Sequence, residues 1–394
     1  MSLMDYGQAC FRLDEGVERF LGEAVALSDW MAANPELSGE EFEATDRIVA
    51  LLSREGFSVE RPYGGLSTAF KASRGNEDGP KVAIMVECDA LPGLGHGCGH
   101  CVHGSMSVLA GLALSEIVES LGGAVHVVGT PAEETDGAKC SMSKAGLFDG
   151  YDLALMIHSS GGINTTAFRS LAMDGYRFTF TGKASHAAGA PWEGKNALNG
   201  VQLMFHAVDM LRQHSIPEAR IHGVVDDGGE APNIVPDRAV CRFEFRAPER
   251  SYLDGLTSRC MDCARGAALA TGTEVSWETF ESSFDDMIPN PPGEAMIGEI
   301  YDELGVSFDP PAAPTGSTDV GNVSRRCPTL QPLLAITPER YALHTVDFAD
   351  SVTKAEAHQA LALGARVIGR AVVKTLLDRG LASAMKAVVP GICV

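Results

Sequence analysis

Apolar residues recur three and four positions apart through "GVERFLGEAVALSDWMAANPEL", which predicts a helix that Pro35 breaks. "GEEFEATDRIVALLSREGF" repeats the pattern and predicts a second amphipathic helix ending at Gly56, so 15–56 reads as helical. The pattern then changes. "KVAIMVECDALPG" begins with a continuous apolar run, as a strand buried on both faces does, and Asp89 falls just past its end. "SMSVLAGLALSEIVESLGG" is a helix closed by glycines. "AVHVVGTPAEET" is a buried strand running into Pro131, and "LALMIHSSGG" is read as a third strand, ending at His158. Strand alternating with helix predicts an α/β domain built on a mainly parallel sheet.

A second pattern starts near residue 174. "GYRFTFTGKA" alternates as a half-exposed strand does. A helix over "NALNGVQLMFHAVDMLRQH" follows, then strands over "ARIHGVVDDGG" and "RAVCRFEFRAP". A helix over "YLDGLTSRCMDCARGAALATG" and a strand over "TEVSWETF" complete the series. That β-α-β-β-α-β order predicts a ferredoxin-like α+β domain inserted in the first. The expected division is 1–173 and 284–394 for the catalytic domain and 174–283 for the insert. "DDMIPNPPGEA" reads as a linker, and a long helix is expected from about Lys354 to close the chain.

At 394 residues the chain suits two domains, and 45% hydrophobic with 21% charged residues is ordinary for a globular protein. The net charge of −21 argues against nucleic acid and anionic membranes as partners. The start lacks a signal-peptide pattern, no run has the length of a membrane span, and ten cysteines lie scattered without pattern. A reduced, cytoplasmic protein is expected.

Candidate chemistry gathers where strands end, which is where open α/β sheets bind ligands. "LPGLGHGCGHCVHG" places Cys98 and His100 on a glycine turn, with His96 and His103 as rival donors in the same loop. Cysteine and histidine suit zinc and related ions. Glu133 and Glu134 follow the next strand: one can bind an ion while the other takes a proton from water. His158 ends the third strand. A dinucleotide or P-loop reading fails because the glycines are out of register and no Lys-Ser or Lys-Thr follows. A Cys98 nucleophile would leave the paired glutamates and His158 unexplained. His186, Asn233 and His344 each admit an ordinary structural reading.

Taken in order, "ECDALPGLGHGCGH", "GTPAEE", "MIHSS", "GKASHAAGAPWEGKNALNG", "GGEAPNIVPD", "FRAPER" and "GSTDVGNVS" resemble the dinuclear-metal amidohydrolase branch of the aminoacylase and carboxypeptidase metallopeptidases. That branch includes hippurate, auxin-conjugate and aminobenzoyl-glutamate hydrolases and a dipeptidase-like subgroup, the last two being nearest. The resemblance implies two divalent ions, zinc or manganese, on Cys98, His100, Glu134, His158 and His344. It implies Glu133 as general base, Asp89 orienting a ligand, and Asn233 and Arg246 holding substrate; no stretch reads as a clear carboxylate clamp, Arg246 and Lys195 being the candidates for one. It also implies a homodimer through the inserted domain, with His186 reaching the partner's active site to stabilise an oxyanion. The substrate implied is a small amide: an N-acyl amino acid, an aminobenzoyl-amino acid or a dipeptide. Cys101 stands where relatives carry Asn or Asp, and His103 follows two residues on. Those departures leave open an aromatic-amine deaminase, and loss of activity with retained metal binding would make the chain a non-catalytic homologue.

Overall fold

The computed structural model describes residues 4–391. Its twelve strands are β1 (Ser58–Glu60), β2 (Phe70–Gly75), β3 (Lys81–Val86), β4 (Ala124–Gly129), β5 (Leu153–Leu155), β6 (His158–Gly161), β7 (Ala172–Thr181), β8 (Arg220–Asp227), β9 (Arg238–Ala247), β10 (Glu274–Thr279), β11 (Thr329–Leu330) and β12 (Leu333–Thr337). The chain forms two compact units. One comprises the stretch through Arg169, Met287–Ala313 and the stretch from Asp319 on; the other is Ser170–Asp286 with Pro314–Thr318.

The first unit is a mixed α/β structure. Its main sheet runs β1-β2-β4-β3-β5-β11. Strands β4, β3, β5 and β11 are parallel, and β1 and β2 add an antiparallel edge. The apolar runs predicted this: β3 from Val82 and all of β4 are buried. Helix Tyr6–Ala33 begins at Asp5, whose carboxylate accepts from Gln8 N–H at 2.9 Å, and buries Leu13, Val17, Phe20, Leu27 and Met31 along one stripe. Helix His100–Leu114 is buried at all 15 residues, which explains its lack of a polar face. Helix Ala355–Leu377 is the long closing helix, with Lys354 at its N-cap, and helix Arg379–Val388 follows it.

Two expectations are corrected here. The stretch 153–162 is not one strand. Between Leu155 and His158 the chain leaves β3 and β11 and pairs instead with β12, so β6 belongs to a separate two-stranded parallel sheet. The stretch read as a linker over 285–295 also ends early. Pro291 starts helix Pro291–Glu303, with the Asn290 side chain accepting from Gly293 N–H at 3.1 Å. Proline at a first helical turn loses no hydrogen bond, so its presence does not mark a loop.

The second unit is an antiparallel four-stranded sheet in the order β10-β7-β9-β8, with helices Ala197–Arg212 and Arg250–Thr271 between strands. Phe178, Phe180, Phe243 and Phe245 pack with Val201, Met204, Leu253 and Leu256 from those helices.

Candidate active site

The loop after β3 carries the donors because its glycines let the backbone close tightly. Gly99 has φ 80°, and a Cβ there would lie 2.7 Å from Ser159 Cβ. A Cβ on Gly104 would lie 2.1 Å from the Glu87 carbonyl oxygen, so the helix presses directly against the strand end. The opposite loop is held from another side. Buried Glu41 accepts from Ala132 N–H at 2.8 Å and from Thr68 Oγ–H at 2.9 Å. Ala132 has φ 58°, unusual for a residue other than glycine, and its hydrogen bond to Glu41 fixes the turn that presents Glu133 and Glu134.

His100 is fully buried. Its Nδ1 lies 2.9 Å from Asp89 Oδ1, and Asp89 Oδ2 accepts from Ser38 Oγ–H at 2.7 Å and Glu134 N–H at 3.0 Å. Nδ1–H therefore donates to Asp89, and Nε2 faces Glu87, Glu134 and Glu133 at 3.6, 3.7 and 3.8 Å. His158 Nδ1 donates to its neighbour's carbonyl, Ser159 O, at 2.8 Å, which leaves Nε2 3.5 Å from Cys98 Sγ. His344 is in the left-handed region at φ 62°, with its N–H donating to Gly97 O at 2.8 Å and its Nε2 3.5 Å from Glu134 Oε2.

These side chains fit metal ions. Cys98, Glu134 and His344 offer ligand atoms within 4.8 Å of one another, as do His100, Glu133 and Glu134. His100 Nε2 and Glu134 Oε1 are buried without a hydrogen-bond partner, an arrangement that native cores avoid unless something else satisfies the atoms. Thiolate, imidazole and carboxylate together form a donor set for divalent metal ions.

Electrostatics agree with that use. Burial lowers the His158 imidazole to about 4, so it is neutral and ready to ligate. Burial also disfavours charge on His100, but Asp89 outweighs it and holds the imidazole well above its ordinary value; a metal ion at Nε2 would have to displace that proton. Burial raises Asp89, yet His100 and its other hydrogen bonds bring it down to about 2. Burial, with the Glu87 and Asp319 charges, pushes Glu133 well above the carboxylate range.

The rival donors have other partners. His103 Nδ1 accepts from Ser159 N–H at 3.2 Å, so its Nε2–H donates to Glu87 Oε2 at 3.0 Å. Its atoms fall in one group with Glu87, His100 and His158, but both ring nitrogens are spent as supports. His96 Nδ1 accepts from Cys101 N–H at 3.2 Å, while its Nε2 is buried without a hydrogen-bond partner, and His96 falls in none of the candidate ligand groups among the described residues. Cys101 is packed in the hydrophobic core with Val102 and Met106. The two residues that set this loop apart from the resemblance, Cys101 and His103, are thus engaged in core packing and in support of Glu87.

His186 and Asn233 come together in the second unit, where Ala187 N–H donates to Asn233 O at 3.0 Å. His186 is exposed, and its Nδ1 accepts from the Ala188 and Gly189 N–H groups at 3.2 and 3.0 Å, leaving Nε2–H to donate outward. Arg246 on β9 reaches Glu244 at 2.7 Å and Ser317 Oγ at 3.2 Å. Lys195 pairs through its backbone with Lys183.

Sequence reasoning missed the support layer made by Glu87, Lys139, Asp319 and Ser159. Only the placement of Glu87 at the end of an apolar strand, beside Asp89, hinted at it.

Buried imidazoles, a thiol and paired carboxylates at the ends of a parallel sheet define a metal-dependent hydrolase acting on amide or peptide bonds. The chain belongs to Peptidase family M20/M25/M40, which residues 83–368 match. It is 36% identical over 388 residues to the Xaa-Arg dipeptidase of Mus musculus, covering 94% of this chain and 88% of that one. It is 28% identical to a p-aminobenzoyl-glutamate hydrolase chain of Escherichia coli K12, covering 94% and 92%. The fold matches the crystal structure of the Bacillus subtilis YXEP protein, described as a dinuclear metal binding peptidase. That match has TM-score 0.70 at 19% identity and covers 91% and 99% of the two chains. Among the described residues no helix is long and apolar enough to cross a membrane.

Proposed function

We propose that this protein hydrolyses the amide bond of a dipeptide or N-acyl amino acid, with a cationic C-terminal residue as the leading candidate. The observation that carries the chemistry is the buried, unpartnered His100 Nε2 facing three carboxylates. Two divalent ions, zinc or manganese, are assigned to Cys98, His100, Glu134, His158 and His344. Such ions acidify water and polarise a carbonyl. Glu133 takes the proton from the attacking water and passes it to the leaving amine. Asp89 fixes His100 with Nε2 toward the ions. His186, with Nε2–H as donor, stabilises the oxyanion of a neighbouring subunit's reaction in a homodimer formed through the second unit. Asn233 and Arg246 hold the substrate's polar groups and carboxylate. The preference for a cationic side chain is supported by the 36% identical Xaa-Arg dipeptidase and by the net charge of −21, which attracts cations. The expected location is the cytoplasm.

The test is metal content and turnover of metal-free, zinc-loaded and manganese-loaded protein on a panel: Xaa-Arg and Xaa-Lys dipeptides, N-acetyl and N-benzoyl amino acids, aminobenzoyl-glutamate and amino-substituted aromatic acids. Metal-dependent release of arginine or lysine is expected. Faster release of glutamate from aminobenzoyl-glutamate would move the specificity, and ammonia from an aromatic amine would overturn the reaction. Two ions bound without cleavage of any substrate would make the chain a non-catalytic homologue.

A further inference from the structure

Behind the ligands lies a lysine with no exposed surface. Lys139 is the second residue of the short helix Ala138–Lys144, and its side chain is fully buried. Its Nζ lies 2.6 Å from Glu87 Oε1 and 2.7 Å from Asp319 Oδ1, and its backbone N–H donates to Asp319 Oδ2 at 3.1 Å. Glu87 is held on its other oxygen by His103 at 3.0 Å. Oxygens of Glu87, Glu133 and Asp319 lie within 4.8 Å of one another, the spacing of a cation site made of carboxylates alone.

We propose that the Lys139 ammonium is a built-in cation of the metal centre, filling this three-carboxylate pocket in place of another divalent ion. It thereby keeps Glu87 and Asp319 as supports and leaves Glu133 free for proton transfer. Three carboxylates so close together in a dry place are stable only with positive charge among them. The ammonium donates to Asp319 and stands in ion-pair contact with Glu87. A divalent ion there would be drawn to all three, and Glu133 would become a ligand. Burial favours the neutral amine, but Asp319, Glu87 and Glu133 outweigh it and keep the charge on Lys139. An ordinary structural ion pair would need neither the third carboxylate nor a place beside the ligand His100, whose Nε2 is 3.6 Å from Glu87.

The inference rests on the two-ion assignment above, and one experiment separates their failures. Wild-type protein, Lys139→Met and the charge-balanced double variant Lys139→Met with Asp319→Asn are equilibrated at equal free Mn²⁺, and bound manganese is counted by elemental analysis. Thermal unfolding with and without millimolar Mn²⁺, and kcat and KM, are measured alongside. Lys139→Met should bind one ion more than wild type and gain more thermal stability from Mn²⁺ than wild type does. Its kcat should fall at least about tenfold, with KM changed less than about threefold, because Glu133 is engaged. The double variant should return to the wild-type ion count. Equal ion counts and equal Mn²⁺ stabilisation in Lys139→Met and wild type would overturn the role. So would a Lys139→Met chain that stays unfolded in millimolar Mn²⁺, because a divalent ion should replace the ammonium. A wild-type count other than two would overturn the two-ion assignment, while the difference between the proteins still decides the role of Lys139.

Discussion

His100 and His186 carry the same side chain in opposite states. His100 is buried, gives its Nδ1–H to Asp89 and turns Nε2 toward three carboxylates. His186 is exposed, takes two backbone N–H groups on Nδ1 and offers Nε2–H. The first arrangement makes a ligand and the second a hydrogen-bond donor, and the group bound at the far nitrogen decides which. The surroundings differ in the same sense. Around His100 the first unit supplies charge, ligands and supports together. The 183–195 loop around His186 holds a 76% exposed Trp192 and has no cluster of carboxylates or thiols. The candidate ligand site draws its donors from its own unit; a lone donor acts only when a substrate reaches it.

The comparison breaks most directly at the proton carrier of the buried site. Glu133→Gln should keep both ions, because the five assigned ligands are untouched, and should lose about 10³–10⁴-fold in kcat. Metal analysis with steady-state kinetics checks this, and normal turnover would refute the assignment of Glu133. His186→Ala should lose about 10²–10³-fold in kcat, the size of a missing oxyanion donor, with unchanged metal content. Mixing His186→Ala with Glu133→Gln protein under subunit exchange should recover activity if each subunit lends its histidine to the other. Recovery absent from demonstrably mixed dimers would confine His186 to its own subunit.

Much of the buried site was legible in the sequence because its residues stand at strand ends. Cys98, His100, Glu134 and His158 follow apolar runs closely, and a sheet brings such positions together whatever the loops do. His344 carried no such signal and was assigned only through the resemblance. The supports were not legible. Lys139 meets Asp319 across 180 residues of sequence, and a lysine two residues past a glycine turn reads as solvated until its partner is known. The change of strand partner between Leu155 and His158 was also hidden, because an apolar run shows burial and not which neighbour is paired.

A smaller effect sharpens the ligand half of the comparison. Asp89→Asn keeps the shape but removes the charge that orients and polarises His100, and it should weaken metal binding about 10–100-fold. Competition with a chromophoric chelator measures this. Unchanged affinity would mean that packing alone aims His100.

The smallest effect tests the other half, where charge in the second unit has no ion to satisfy. Glu281 Oε1 has no hydrogen-bond partner and would lie 2.1 Å from a Cβ on Gly175. Partial burial raises its carboxyl to about 7, with Glu244 adding to the rise and Arg246 opposing it. The folded chain thus binds this proton more tightly than the unfolded chain does. Below the ordinary carboxylate range both forms are protonated and the group is neutral toward folding. As pH climbs from that range to about 7 the unfolded chain gives up its proton first, and the fold loses stability. Glu281→Gln should therefore stabilise the second unit at pH 8 by about 1 kcal/mol, a value reduced for the partial solvent exposure of the group. Its advantage should vanish near pH 4, and thermal unfolding at the two pH values measures both. A variant equally stabilised at both would place the effect in packing against Gly175, leaving His100 and its carboxylates as the one cluster in this comparison where burial and charge are coupled.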